Sequence, residues 1–591
     1  MKHIYFYIFV NTKKNKTYKH TGHKILLGVL CLLAINLCNN IFLETVWAQN
    51  KTTNHSIPLK TKITAHHPKR VNNKKASRIK PQIPSANRYQ KNKIFLENSD
   101  VLSADYAVNP DYQILRGNVK FRKEGMFMWC DSAHFYESTN SLDAFGHVKM
   151  QQGDTLFVYA DVLYYSGQDE LAQLRNNVRM INRDVTLYTD SLDYDMRNNY
   201  GYFFEGGKII DSQNELSSVY GQYEPNTKNA EFLYDVELVN KKYVMTTDTL
   251  HYNTASHIAD ILGSTSIVSD SNVIYSKKGW YNTELENSTL YNRSQIVTKN
   301  GQTVVGDTLY YDRNTGVGEA YGNIILTDTV RKSILDGDYG YHNEKENRSF
   351  ATGRARAREF SQGDTLYLHG DTLSTYLDKD SLRVLLAYHK VRFFRSDVQG
   401  VCDSMAFAEK DSILNMYRHS VVWSGERQIT GNEINVHFND SAVDWATLPD
   451  FGFIAEHLDE TYYNQLSGKS MKAYFMDKEL RQLDVNGNVL VLTYPMENDS
   501  TYNKLINAIG SYLVVKLKPK QQMDKMVLWP DVSGRAVPLF LAKKSDLFLE
   551  GFKWYENLRP DTPESIFGCK DEMDALMQEE IKTSRRKRKA N

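Results

Sequence analysis

Aspartate recurs in this chain at intervals that would matter if it did chemistry. The runs Asp161-Val162-Leu163-Tyr164-Tyr165, Asp190-Ser191-Leu192-Asp193-Tyr194, Asp248-Thr249-Leu250-His251-Tyr252 and Asp307-Thr308-Leu309-Tyr310-Tyr311 share one pattern, and weaker members start at Asp131, Asp338, Asp371 and Asp403. Two carboxylates on one face could cleave a glycosidic bond as acid and base. A catalytic pair should be exceptional, however, and these are periodic. Stacked aspartates could also gather calcium, but the glycine-rich nonapeptide spacing is missing. The pattern instead predicts Asp satisfying backbone at a bend, Leu packed inside, and Tyr covering an edge or rim.

Other reactive residues are scattered. His66-His67 lies in a basic stretch, and His251, His369, His389, His419 and His437 lack ligand spacing. Cys130, Cys402 and Cys569 are too far apart for a disulfide framework or a zinc site. No Gly-x-Ser-x-Gly elbow, phosphate loop, His-Glu-x-x-His or Cys-x-x-Cys occurs. The expectation is no catalytic residue, no metal and no cofactor: not an enzyme.

The elements that carry these residues repeat about every 30 positions from residue 110 onward. A second marker, Gly-x-Val/Ile, falls between the Asp runs at Gly117/Val119, Gly146/Val148, Gly207/Ile209, Gly322/Ile324 and Gly487/Val489. Each unit therefore holds two strand-like runs separated by polar turns such as Asp312-Arg313-Asn314-Thr315-Gly316. Tyrosine, at 38 residues beside 25 Phe and 7 Trp, leans the same way. Alternation along Leu142, Ala144, Gly146, Val148 and Met150 gives one apolar face. Leu156, Val158 and Ala160 share that face, yet Leu163 and Tyr165 have the opposite parity; Leu187 to Leu192 and Leu366 to Leu373 repeat the slip. Keeping every Leu inward requires a bulge or bend near the Ala/Gly-Asp step. The fold class is all-β: a long, curved sheet stack, apolar on one side, running to about residue 520.

The ends differ from the body. The chain is 591 residues long with formal net charge +1, but residues 1–93 hold 18 Lys and Arg against one acid, Glu44. Lys582, Arg585, Arg586, Lys587, Arg588 and Lys589 make a basic tail, so the middle is acidic and a poor nucleic-acid binder. The apolar stretch Ile25 to Leu37 and Val46-Trp47-Ala48 predict a signal peptide over 1–48, cleaved after Ala48. Residues 49–100 read as a basic disordered linker. Strand repeats are expected over 101–330 and, more divergent, over 331–520, where a second stack could begin. A cap region over 521–570 and a short helix with the basic tail over 571–591 follow.

Gly-Asn-Val-Lys-Phe (117–121), Gly-His-Val-Lys-Met (146–150) and Asn-Asn-Val-Arg-Met (176–180), alternating with Ala-Asp-Val-Leu-Tyr-Tyr (160–165), resemble the OstA-like periplasmic repeat. That repeat is shared by LptA-type bridge proteins and the N-terminal domain of LptD in lipopolysaccharide export. The resemblance implies an open, taco-like β-jellyroll whose apolar interior carries the acyl chains of lipid A and which stacks end to end. It implies a periplasmic location, lipopolysaccharide as cargo, and edge-to-edge strand pairing with other OstA-like proteins and an outer-membrane translocon. Two departures stand out: about twice the usual number of repeats, and no room after residue 520 for a transmembrane barrel.

Independently of the resemblance, a dry groove could hold acyl chains at about 0.8 kcal/mol per buried CH₂ without specific polar contacts. Twelve rungs at about 4.8 Å would give a groove of roughly 60 Å. The predicted lining is Val119, Val148, Leu156, Val158, Leu163, Val178, Leu187, Leu192, Leu250, Leu309 and Ile324. Two other readings stay open. One is a secreted or cell-surface repeat protein that binds glycans, with exposed Tyr stacking on sugars; the other is a β-solenoid polysaccharide-degrading enzyme.

Overall fold

A computed structural model describes residues 93–568 apart from 106, 109–110, 184, 213, 225, 270–271, 300, 361–362, 440–441, 460, 478, 497–500 and 520–521. The predicted signal peptide, most of the linker, Cys569, the C-terminal helix and the basic tail lie outside these residues. The described chain forms two compact units. The first runs to Ala355 and includes Ser374–Tyr376; the second comprises Arg356–Leu373 and the chain from Leu377.

In the first unit antiparallel strands follow one another as a meander. Gln113–Lys123, Met126–Tyr136, Ser141–Gln152, Leu156–Ser166, Leu171–Asn182 and Val185–Asp195 are 11 or 12 residues long. Each pairs with the next. The meander resumes with Asn229–Asn240 and continues to Ser333–Asn343. Between these two runs the rungs are broken in half. Tyr200–Phe203 and Gly207–Ile210 both pair with Val185–Asp195, one on each side of its midpoint.

Every full rung bends at the same point. In Ser141–Gln152 the register jumps from Phe145 to Val148 while the partner steps only from Val162 to Ala160, so Gly146 and His147 face Asp161 alone. Both have positive φ, +74° and +45°. Gly117 and Asn118, Asn176 and Asn177, Asn292 and Arg293, and Gly322 and Asn323 repeat the device. The left-handed region costs Gly nothing and Asn little, which explains the residue types. The parity slip therefore falls at the predicted Asp step, but the extra residues come from the Gly-x-Val strand. Gly207 is an exception: it opens a short strand, and the positive φ belongs to Gly206.

The bulge divides each rung into two arms, and both turn the same class of residue inward. In Ser141–Gln152, Leu142 and Ala144 lie before it and Val148 and Met150 after it, all buried. The rings of Phe121 and Phe135, one from each arm, meet with centroids 5.7 Å apart. A single apolar cluster extends from Ile94 to Ala259. Each large member, such as Leu163 at 2% exposure, contributes roughly 1.5–3 kcal/mol by leaving water. The fold is an all-β jellyroll stack of two-strand repeats.

Three expected boundaries move. The first rung, Phe95–Asn98 with Val101–Ser103, begins inside the span read as linker. Phe95 and Leu96 pair with Arg122 and Phe121, and Arg122 reaches Glu97 at 2.7 Å, so a basic composition is locally outweighed by specific pairing. At the other end Gln522–Trp529 and Ser533–Pro538 each pair with one half of Lys504–Lys518, carrying the sheet past 520. The compact units divide near 356 rather than 331.

Candidate functional site

The predicted lining residues all face the interior of the first unit. Val119, Val148, Val158, Leu163, Val178, Leu187, Leu192 and Leu250 belong to one cluster, with Leu156 partly buried against it. Leu309 and Ile324 are buried further along the same unit. They pack on one another rather than lining an open channel, with exposure of 0–7% for all but Leu156.

The apolar interior reaches solvent where the arms end. At the end of one arm Met126, Leu156, Met180, Ile209, Leu238, Tyr243 and Ile267 keep the inward parity but are only partly buried. At the end of the other stands the recurrent tyrosine: Tyr165, Tyr194, Tyr223, Tyr252 and Tyr281, spaced 29 residues apart. The Lys123 ammonium donates to Tyr165 Oη at 2.5 Å, so the two arm ends touch there. Burial pushes the Tyr243 hydroxyl up to about 12, with Tyr281 and Tyr252 nearby. The Tyr243 phenol is therefore neutral at physiological pH, and the seam carries amphipathic rings that can face both oil and water.

The recurrent Asp sits at the outer corner, away from this interior. Asp131 accepts from His147, Asp161 from Asn177 at 2.6 Å, and Asp307 from Asn323 at 2.9 Å. Each clips the side chain of a bulge residue on the following strand. The sequence reading had Asp satisfying backbone; it mostly satisfies the bulge side chain, with Asn177 N to Asp190 at 3.2 Å as a backbone case. A Cβ on Gly146 would run into the Asp131 carboxylate. Among the described residues no group of three or more His, Cys, Asp or Glu could hold a metal ion. Cys130 and Cys402 are buried thiols, and burial pushes Cys130 up to about 12.

One corner of the second unit looks chemical at first sight. Asp403 is buried, takes Ser404 Oγ at 2.6 Å and lies 3.1 Å from His389 Nδ1. Both side chains meet the same carboxylate, and no bond joins Ser404 to His389. A nucleophile relay needs serine on histidine. This is a variant of the corner clip.

The expected cap region over 521–570 supplies a feature whose place the sequence does not give, on the outer face of the second unit. From Leu539 the chain runs back across the strands as a strap of loops and short 3-10 turns. Gln465 Nε2 donates to Leu547 O and its Oε1 accepts from Leu549 N, both at 2.8 Å. Gln428 brackets Lys553 O and Tyr555 N in the same way, also at 2.8 Å. Gln399 accepts from Arg559 at 3.0 Å. The three amides stand at one register position, linked across the sheet through Trp423 and Ala455. Beneath the strap, Leu549 joins Phe453, Ala455, Leu492, Tyr494 and Leu505, and Leu558 joins Val401, Val421 and Trp423. The outer face of this arm is thereby buried, while Ile429, Ile454 and Leu466 on its other face are only partly buried.

Residues 91–248 and 244–303 match the family of OstA-like proteins. This segment is OstA-like. Its bulge motif supplies both the Gly-x-Val marker and the interior valines of the repeats. No curated protein matches the chain. Among solved structures, LptH of Pseudomonas aeruginosa, described as the LptA-homologous periplasmic component of the lipopolysaccharide transport device, is similar over 20% of this chain and 82% of its own. The identity is 12% and the TM-score 0.17, a likeness too slight to build on.

Proposed function

We propose that the chain is a non-enzymatic periplasmic conduit that shields the acyl chains of lipopolysaccharide on the way to the outer membrane. The observation that carries this reading is the row of inward apolar side chains from Val119 to Ile324 within and beyond the OstA-like segment, opening along one seam between the arm ends. Acyl chains enter by parting the arms where Lys123 meets Tyr165 and displacing packed side chains such as Leu156. They gain about 0.8 kcal/mol per CH₂ buried, with no fixed polar contact needed. Partners of the same family and an outer-membrane translocon receive or supply the lipid by pairing with the terminal rungs.

The alternating parity makes the test sharp. A photo-crosslinker at Leu156, on the inward side of the seam, captures lipopolysaccharide in cells, whereas one at Phe157, the next residue and outward-facing, does not. Equal capture at both positions, or at neither, overturns the reading.

A further inference from the structure

The outer face of the first unit carries a row that the lipid reading leaves unused. Cross-strand partners run Lys120, Trp129, Lys149, Tyr159, Arg179, Tyr188, Lys208 in unbroken succession. Cation and aromatic ring alternate at every strand. Lys120 and Lys149 flank Trp129 at 5.7 and 5.2 Å from its centroid, and Arg179 lies 4.8 Å from Tyr159. Phe127 and Phe157 extend the ring contacts on the neighbouring row, at 4.7 Å from Lys120 and 5.7 Å from Lys149. The cations recur on every second strand, about 9.6 Å apart, over a row of roughly 29 Å.

Carboxylates bound this face but do not neutralise it. Glu97 pairs with Arg122 beside the first rung, and Glu215 pairs with Lys208 at the far end. Among the described residues Lys120, Lys149 and Arg179 form no ion pair with a carboxylate. An open cleft of about 840 Å³ ends the row where the rungs are broken at Gly206 and Val219; Tyr159, Arg179, Tyr188 and Lys208 wall it together with the carboxylates Asp190, Glu205 and Asp235, so the uncompensated cations are those nearer Lys120 and Lys149. In the second unit the corresponding row is Arg392, Val401, Val421, Thr430, Phe453, Ser467, Leu490. There the same side of the sheet is covered by the chain's own strap, which is held by glutamines and apolar side chains. A face made for polypeptide thus looks amide-rich and, Arg392 apart, uncharged. The row in the first unit has the opposite chemistry.

We propose that this row binds an extended anionic saccharide, with acidic groups on Lys120, Lys149 and Arg179 and sugar rings against Trp129, Tyr159 and Tyr188. Cation–aromatic pairs orient the ammonium and guanidinium groups while leaving their outward N–H donors free for carboxylate or phosphate. The rings offer flat apolar surface to the C–H faces of sugars. The proposal stands apart from the lipid reading, since it concerns the other face of the same strands.

The test uses the full mature chain and calorimetric titration with polygalacturonate, neutral dextran and poly-glutamate. Polygalacturonate binds with an affinity that falls as salt rises, dextran does not bind, and poly-glutamate binds at least about tenfold more weakly. The triple variant Lys120→Gln, Lys149→Gln, Arg179→Gln loses about tenfold or more, and so does Trp129→Leu with Tyr159→Leu, which leaves the charge intact. A control carrying Lys228→Gln and Lys242→Gln is unchanged. Vesicles of phosphatidylcholine with and without an acidic glycolipid separate a membrane head group from a free polymer as the source. Poly-glutamate binding as tightly and indifferent to the ring substitutions overturns the proposal in favour of an acidic protein segment. No salt-dependent binding of any probe overturns it in favour of a self-satisfied surface ladder.

Discussion

Asp131 Oδ2 lies 2.7 Å from Nδ1 of His147 on the neighbouring strand, closing the corner of a bent rung. In other repeats the same position is filled by Asn118, Asn177 or Asn323, each clipped by Asp100, Asp161 or Asp307. The clip fixes a two-residue bulge, the bulge turns both arms inward, and the arms enclose the apolar interior. The periodic aspartates thus act on shape.

The corner predicts which glycines cannot be replaced. Gly146 and Gly322 have φ of +74° and +71°, and a Cβ on either meets the Asp131 or Asp307 carboxylate. Gly146→Ala and Gly322→Ala should each cost about 1–3 kcal/mol, read as a lower urea midpoint for the first unit. Gly125→Ala, also at positive φ but with nothing within 4 Å, should cost only the backbone share, about 1 kcal/mol.

Two histidines should respond to pH with opposite sign. The hydrogen bond that His147 donates to Asp131, and then the carboxylate's charge, raises His147 above the ordinary histidine value. Its contribution is fully present below the unfolded pKa and is lost as pH rises through the folded one. His342 is buried beside Ser349, 2.8 Å away, and desolvation lowers it to about 4. Its neutral form is stable above about 6.5, and stability falls as pH drops from there towards 4. NMR titration checks both: Asp131→Asn should bring His147 down, and His342 should stay neutral at pH 5.

The strap should open before the sheet it covers. Gln428→Leu or Gln465→Leu removes two hydrogen bonds to Lys553 and Tyr555, or to Leu547 and Leu549, at about 1–3 kcal/mol for the buried partners left behind. Hydrogen exchange should speed up in peptides spanning 547–559 and stay unchanged in Arg383–Arg395. Exchange that rises equally in both would mean the strap is inseparable from the second unit.

Much of this was legible in the sequence, and what was not has physical reasons. The recurrent Leu, the parity slip between Ala160 and Leu163, and the Gly-x-Val marker follow from strand periodicity, which one repeat confirms in the next. Tyr165 and its equivalents at a rim follow from the amphipathic ring. The strap was illegible because it has no period of its own; its only trace is Gln399, Gln428 and Gln465 at outward positions, where polar residues attract no notice. The outer row was within reach, since Lys120, Lys149 and Arg179 each follow the valine of the marker motif. Outward cations in strands pass for solubility until cross-strand register aligns them with Trp129 and Tyr159. Packing of the predicted lining residues against each other was equally beyond the pattern, because periodicity assigns a side and not the distance between two arms.

The most direct test of the central claim is mass spectrometry of organic extracts from the mature chain, purified from the periplasm without detergent. The account predicts stoichiometric lipopolysaccharide or its multi-acyl lipid, lost when Leu163 and Val178 are both replaced by Asp. A folded chain that yields no multi-acyl lipid under the same extraction would contradict it.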